Sequence, residues 1–165
     1  MNLLCKLDKW DIEWIKANSE EISKVAGVDT VMHFVEQSQH DNYRAQACQI
    51  VGMIAEEGSI NHLLLDMDCL NILVDAMMSK VILVKRAAAE ALAFLVRDDK
   101  VRATITNDRI LQVVLGELSK SSDQILTENL MLILMNLSLS KIFKPAIYES
   151  GVLDSLVYNL VNGHT

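Results

Sequence analysis

One proline and six glycines in 165 residues leave too few turn formers for an all-β sandwich, which needs a turn signal every ~8–12 residues. Aromatic residues are equally scarce at 5%, so the chain offers no interleaved platform on which bases of a single strand could stack. Basic residues are outnumbered, 15 against 22 acidic, for a net charge of −7. That balance excludes a protein that neutralises nucleic-acid phosphates and one that docks on an anionic membrane. The three cysteines, Cys5, Cys48 and Cys69, are an odd set without C-x-x-C spacing, as expected of reduced, buried thiols in a cytosolic protein. No apolar run approaches the ~18–20 residues that span a bilayer. The opening MNLLCKLDKWDIEW lacks the basic-then-apolar order of a secretory signal. What is present is 51% apolar and 22% charged residues: an acidic, soluble, mostly helical domain. A cytoplasmic location is expected, with the nucleus or the cytoskeleton as further possibilities.

The chain repeats itself. AAEALAFLV at 88–96 aligns without a gap on ACQIVGMIA at 47–55 and on LMLILMNLS at 130–138, at steps of 41 and 42. A shorter helix is predicted to start near Ala26, Asp68, Arg109 and Gly151, at steps of 42, 41 and 42. Within each unit the apolar spacing is three and four, the period of a helix that buries one stripe. The long helices carry Ala47, Ile50, Val51 and Ile54, then Ala88, Ala91, Leu92 and Leu95, then Leu130, Ile133, Leu134 and Leu137. Ile50, Ile54, Leu92, Leu95, Leu134 and Leu137 are the expected core. Asp41 is a candidate cap for the first long helix, and Ser122 or Asp123 for the third. A third, short helix is predicted at 60–66, 100–106 and 142–149, with Pro145 in its first turn.

Three helices per unit, a period of 41–42, and the junction YESGVLDSLVYNL at 148–160 resemble the armadillo repeat. The resemblance covers about residues 19–162. It implies an all-α fold, a right-handed α-solenoid of about three full repeats (26–67, 68–108 and 109–150), with an N-terminal helical cap at 1–25 and a partial fourth repeat at 151–165. Trp10 and Trp14, four apart, are expected to cover the open end of the first repeat.

Residues with catalytic potential are scattered. His33 and His40 form no H-E-x-x-H, and His62 with Asp66 supplies two weak ligands without a clustered fourth. No G-x-S-x-G, P-loop or G-x-G-x-x-G occurs. Cys48 and Cys69 fall in the apolar pattern and read as small core residues. The carboxylate pairs Glu56–Glu57 and Asp98–Asp99 sit at helix ends, where the sequence gives no sign of the burial that tunes a catalytic acid. The chain is expected not to be an enzyme and to need no cofactor or metal. Arg44, Lys80, Lys85, Arg86, Arg97, Lys100 and Arg102 alternate with acids and read as a solvated, charge-mixed surface.

A stacked repeat curves, and its concave side becomes an extended binding surface. The resemblance implies that the long helix of each repeat lines that side. The residues outside the core pattern there are Arg86; then Gln49, Glu90 and Leu132; then Met53, Phe94 and Asn136; then Arg97. In peptide-binding armadillo proteins tryptophan fills the row of Gln49, and asparagine the row of Met53. Only Asn136 matches, which sets this chain apart from nuclear-import receptors. The expectation is a protein–protein interaction module that holds a peptide or helical segment of a partner over Arg86, Gln49, Met53, Glu90, Phe94, Arg97, Leu132 and Asn136. The alternative is an excerpt of a longer solenoid or a self-associating adaptor. The last helix carries more apolar residues than one stripe needs, so Leu153, Leu156 and Leu160 are expected to pack on a second copy or on a following repeat.

Overall fold

The computed structural model describes residues 27–154, and within them the protein is all-helical, with no strand. The elements are α1 (Gly27–Gln37), α2 (Asp41–Glu57), α3 (Asn61–Asp66), α4 (Cys69–Met77), α5 (Ile82–Leu95), α6 (Asp99–Thr104), α7 (Arg109–Leu118), α8 (Gln124–Leu137) and α9 (Phe143–Glu149). The order of intermediate, long and short helix recurs along the described chain. The long helices begin at Asp41, Ile82 and Gln124, 41 and 42 residues apart.

Helical spacing puts the apolar side chains on the inner faces. Val28, Val31, Met32 and Val35 of α1 are buried, as are Leu73, Val74 and Met77 of α4 and Ile110, Leu111 and Val114 of α7. All six expected core residues, Ile50, Ile54, Leu92, Leu95, Leu134 and Leu137, are buried. The middle long helix, α5, packs against α2, α4 and α8, which is why five of its alanines are buried on several sides of the helix. Small residues let the axes approach. A Cβ on Gly52 would stand 3.4 Å from the Ala91 Cα, so a long side chain there would wedge α2 away from α5.

Side-chain caps start α8 and α6. Asp123 accepts from the Leu126 N–H at 2.8 Å, and Asp98 accepts from the Lys100 N–H at 2.8 Å. Asp41 differs from its expected role: the chain turns one residue earlier, His40 occupies the cap, and Asp41 opens the helix. Its carboxylate still faces the positive end of the helix dipole. Gly58 ends α2 with φ of 85°, a left-handed conformation that favours glycine. Pro145 lies in the first turn of α9. Trp10, Trp14, Cys5, Leu156 and Leu160 lie outside the described residues.

Candidate partner-binding groove

Glu90 and Phe94 follow each other on α5 at an interval of four, and Arg97 comes three residues later in the turn just past its end, so the three line one side of the same hollow. Opposite them, α8 presents Leu132 and Asn136 at an interval of four. These five expected site residues line a single hollow of about 430 Å³ between α5 and α8. Met135 adds to its apolar wall. Leu132 is 45% exposed and Met135 57% exposed, while Phe94 is half-buried against the core. Glu90 and Arg97 leave opposite charges at two points of a trough whose other polar walls are Asn129 and Asn136, and the Arg97 guanidinium carbon stands 5.7 Å from the Phe94 ring centre, a cation–π contact.

A second hollow, about 280 Å³, opens on the far side of Phe94 and Arg97. Its other walls are Ala55, Glu56 and Gly58 at the end of α2, Asn61 of α3, and Asp98. Asn61 is buried, donates from Nδ2 to Asp98 Oδ2 at 3.3 Å, and leaves its Oδ1 buried with no partner among the described residues. Burial pushes the Asp98 carboxyl up, yet hydrogen bonds from the Lys100 N–H, the Asn61 amide and the Val101 N–H outweigh it, and with the Lys100 charge they hold it below the usual carboxylate range.

The remaining expected site residues are placed differently. Gln49 is exposed on α2 and Met53 is half-buried against the core, and neither lines either of these two hollows. Asn136 is one of the expected partner-binding residues. It is instead 7% exposed and donates from Nδ2 to the Leu132 carbonyl at 3.0 Å, because a short amide four residues along a helix reaches its own backbone first. Arg86 is engaged as well: its Nε donates to Asp123 Oδ1 at 2.9 Å and its Nη2 to the other carboxylate oxygen. That bond raises the guanidinium pKa and lowers the Asp123 carboxyl's, an effect the Leu126 N–H reinforces. Leu153 is exposed.

Of the seven basic residues read as a solvated, charge-mixed surface, Arg102 departs from that reading because it is buried. Lys85 pairs with Glu117, Arg109 with Asp75, and Arg86 with Asp123. Arg102 is 8% exposed, pairs with Asp99, and donates from Nη1 to the Val96 and Arg97 carbonyls at 2.6 and 2.7 Å. It closes the C-terminus of α5. Asn61 was not singled out in the sequence, and Asp98 only as half of a carboxylate pair at a helix end. The available signal was a polar residue in the buried register: 61 and 102 are 41 apart, and both sit between apolar core positions.

Among the described residues no group of three His, Cys, Asp or Glu is placed to hold a metal ion, and no helix is long and apolar enough to cross a membrane. Cys48 and Cys69 are buried free thiols. Desolvation pushes each up to about 12; Asp68 adds to the rise at Cys69, and Arg44 opposes it at Cys48. A thiol so protonated is no nucleophile. No family model matches the chain, and no curated protein or solved structure is similar enough to count as a match.

Proposed function

We propose that the chain is a non-enzymatic protein-binding module, an armadillo-like right-handed solenoid of three repeats, which holds a segment of a partner in the trough between α5 and α8. The observation that carries this reading is the half-buried Phe94 beside the exposed Leu132 and Met135, with Glu90 and Arg97 flanking them around a hollow of about 430 Å³. Exposed apolar side chains gathered in a trough and edged by charge are the usual form of an interaction site. Two neutral, buried thiols suit a reducing compartment, the cytoplasm.

Peptides selected from a display library on the full chain provide the test. Phe94→Ala should weaken a selected peptide by more than about 1 kcal/mol without changing the circular dichroism, and Leu132→Asp should weaken it further. Lys80→Glu, at an exposed position away from the trough, should leave binding unchanged. Equal losses from Phe94→Ala and Lys80→Glu, or no loss from Phe94→Ala, would remove the trough as the site.

A second reading is favoured by one observation. Met135 falls in the register of Gly52 and Ala93, which are both buried, Gly52 directly beneath Ala91 of the next long helix, whereas Met135 itself is exposed. Another helix laid over α8 would cover it, supplied by a second copy or by a longer solenoid. Light scattering over a concentration series tests the self-associating form, and Leu160→Asp should abolish any dimer.

A further inference from the structure

The hollow at the end of α2 has an internal counterpart one unit further along. A step of 41 carries Ala55, Glu56 and Asn61 onto Val96, Arg97 and Arg102, and the flanking burial agrees: Ile60 and Leu64 are buried, as are Val101 and Ile105. At the later position the Arg102 guanidinium bridges the Val96 and Arg97 carbonyls at 2.6 and 2.7 Å, satisfying orphan acceptors at the end of a helix. At the earlier position Asn61 is too short to do the same. Its Nδ2 is turned to Asp98 and its Oδ1 is buried without a partner among the described residues, an arrangement that is rare in folded proteins. Ser59, whose N–H could have closed the turn on Ala55, donates to Glu57 Oε2 at 3.0 Å. Where Arg102 fills the later site, the earlier one holds an open hollow of about 280 Å³. The charged groups facing it are the Glu56 and Asp98 carboxylates and the Arg97 guanidinium, which is drawn over the Phe94 ring.

We propose that this hollow receives the guanidinium of an arginine from a bound segment, which takes up at Ala55, Glu56 and Asn61 the role Arg102 plays at Val96 and Arg97. The fork of five N–H donors supplies two carbonyls and the orphan Asn61 Oδ1 together, which a single ammonium does less well. Asp98 and Glu56 balance the charge, with Asp98 kept ionised by the N–H groups it accepts from. The negative end of the α2 dipole adds attraction for a cation. Phe94 is a wall of both hollows, so a segment lying in the trough reaches this one with a neighbouring side chain. Only the source of the arginine rests on the proposed function; the site itself does not.

The test uses the full chain labelled with nitrogen-15 and N-acetyl-L-arginine methylamide as probe, with the lysine and norleucine analogues alongside. Saturable shifts are expected at the Gly58 and Asp98 amides and the Asn61 side-chain amide, larger for arginine than for lysine and absent for norleucine. Asn61→Arg fills the hollow from within; it should raise Tm and weaken the arginine probe at least about tenfold, the scale of one lost charge-assisted contact. Glu56→Gln leaves the packing untouched and should weaken the probe several-fold, which keeps the test open if Asn61→Arg fails to fold. Absence of shifts at these groups, equal shifts for lysine and arginine, or undiminished binding by both variants would overturn the assignment. If the probe fails while selected peptides still depend on Phe94 and Leu132, the arginine hollow falls and the trough stands.

Discussion

Asp123 serves two partners at once: it caps α8 through the Leu126 N–H and grips the Arg86 guanidinium of α5 with both oxygens. One carboxylate therefore starts a helix and fixes that helix against its neighbour. Arg86→Ala removes only the second function, and Asp123→Ala removes both. Asp123→Ala should lower Tm more than Arg86→Ala, with Asp123→Asn between them, since asparagine keeps the cap. The double variant should fall short of the sum, which a double-mutant cycle by thermal melting measures.

Acid should act through the same group and through Asp98. Both carboxyls titrate below their ordinary value in the folded chain, so the stability they contribute is present above about pH 4, the unfolded value. It is lost as the pH falls through their lower folded values. Urea midpoints taken downward from pH 5 should fall, and Asp123→Asn should flatten that slope.

Alkali works in the other direction on the thiols. Cys48 and Cys69 are held up to about 12, so above roughly pH 9 the unfolded chain ionises while the folded one does not. Each thiol should cost about 1.4 kcal/mol of stability per pH unit there. Replacing both by alanine should remove that dependence, and site-mapped alkylation at pH 8 should find the two unreactive until the protein is unfolded.

Leu92 has no exposed surface and lies on the central helix. Leu92→Ala should cost about 2–5 kcal/mol in urea denaturation, the range for opening a cavity in a packed interior.

Arg102→Ala should cost about 1–3 kcal/mol by leaving the Val96 and Arg97 carbonyls buried without their donor. Arg102→Lys should recover only part of it, because an ammonium on a shorter reach lacks the fork that bridges both.

The sequence by itself determined the helices, their order and their inward faces. Spacings of three and four at Ile50, Ile54, Leu92, Leu95, Leu134 and Leu137 report a local property of the backbone, and a period of 41–42 puts the same face of each long helix inward. The Glu90 and Phe94 face was legible for the same reason, as the remainder of that pattern on α5, with Arg97 continuing it into the turn beyond. Which groups would meet across helices was not legible. Arg86 and Asp123 are 37 residues apart, and nothing in either local pattern names the other. Arg102 reads as a surface cation until the turn after α5 folds its guanidinium onto two carbonyls. Asn136 reads as an exposed amide until its side chain reaches the Leu132 carbonyl one turn back. Asn61 meets Asp98, 37 residues away, only in the packed fold, where its Nδ2 donates to that carboxylate and its Oδ1 is left buried without a partner among the described residues. Periodicity is a property of consecutive residues, whereas hydrogen-bond partners are chosen by proximity, and proximity between distant residues is set by the packed fold alone.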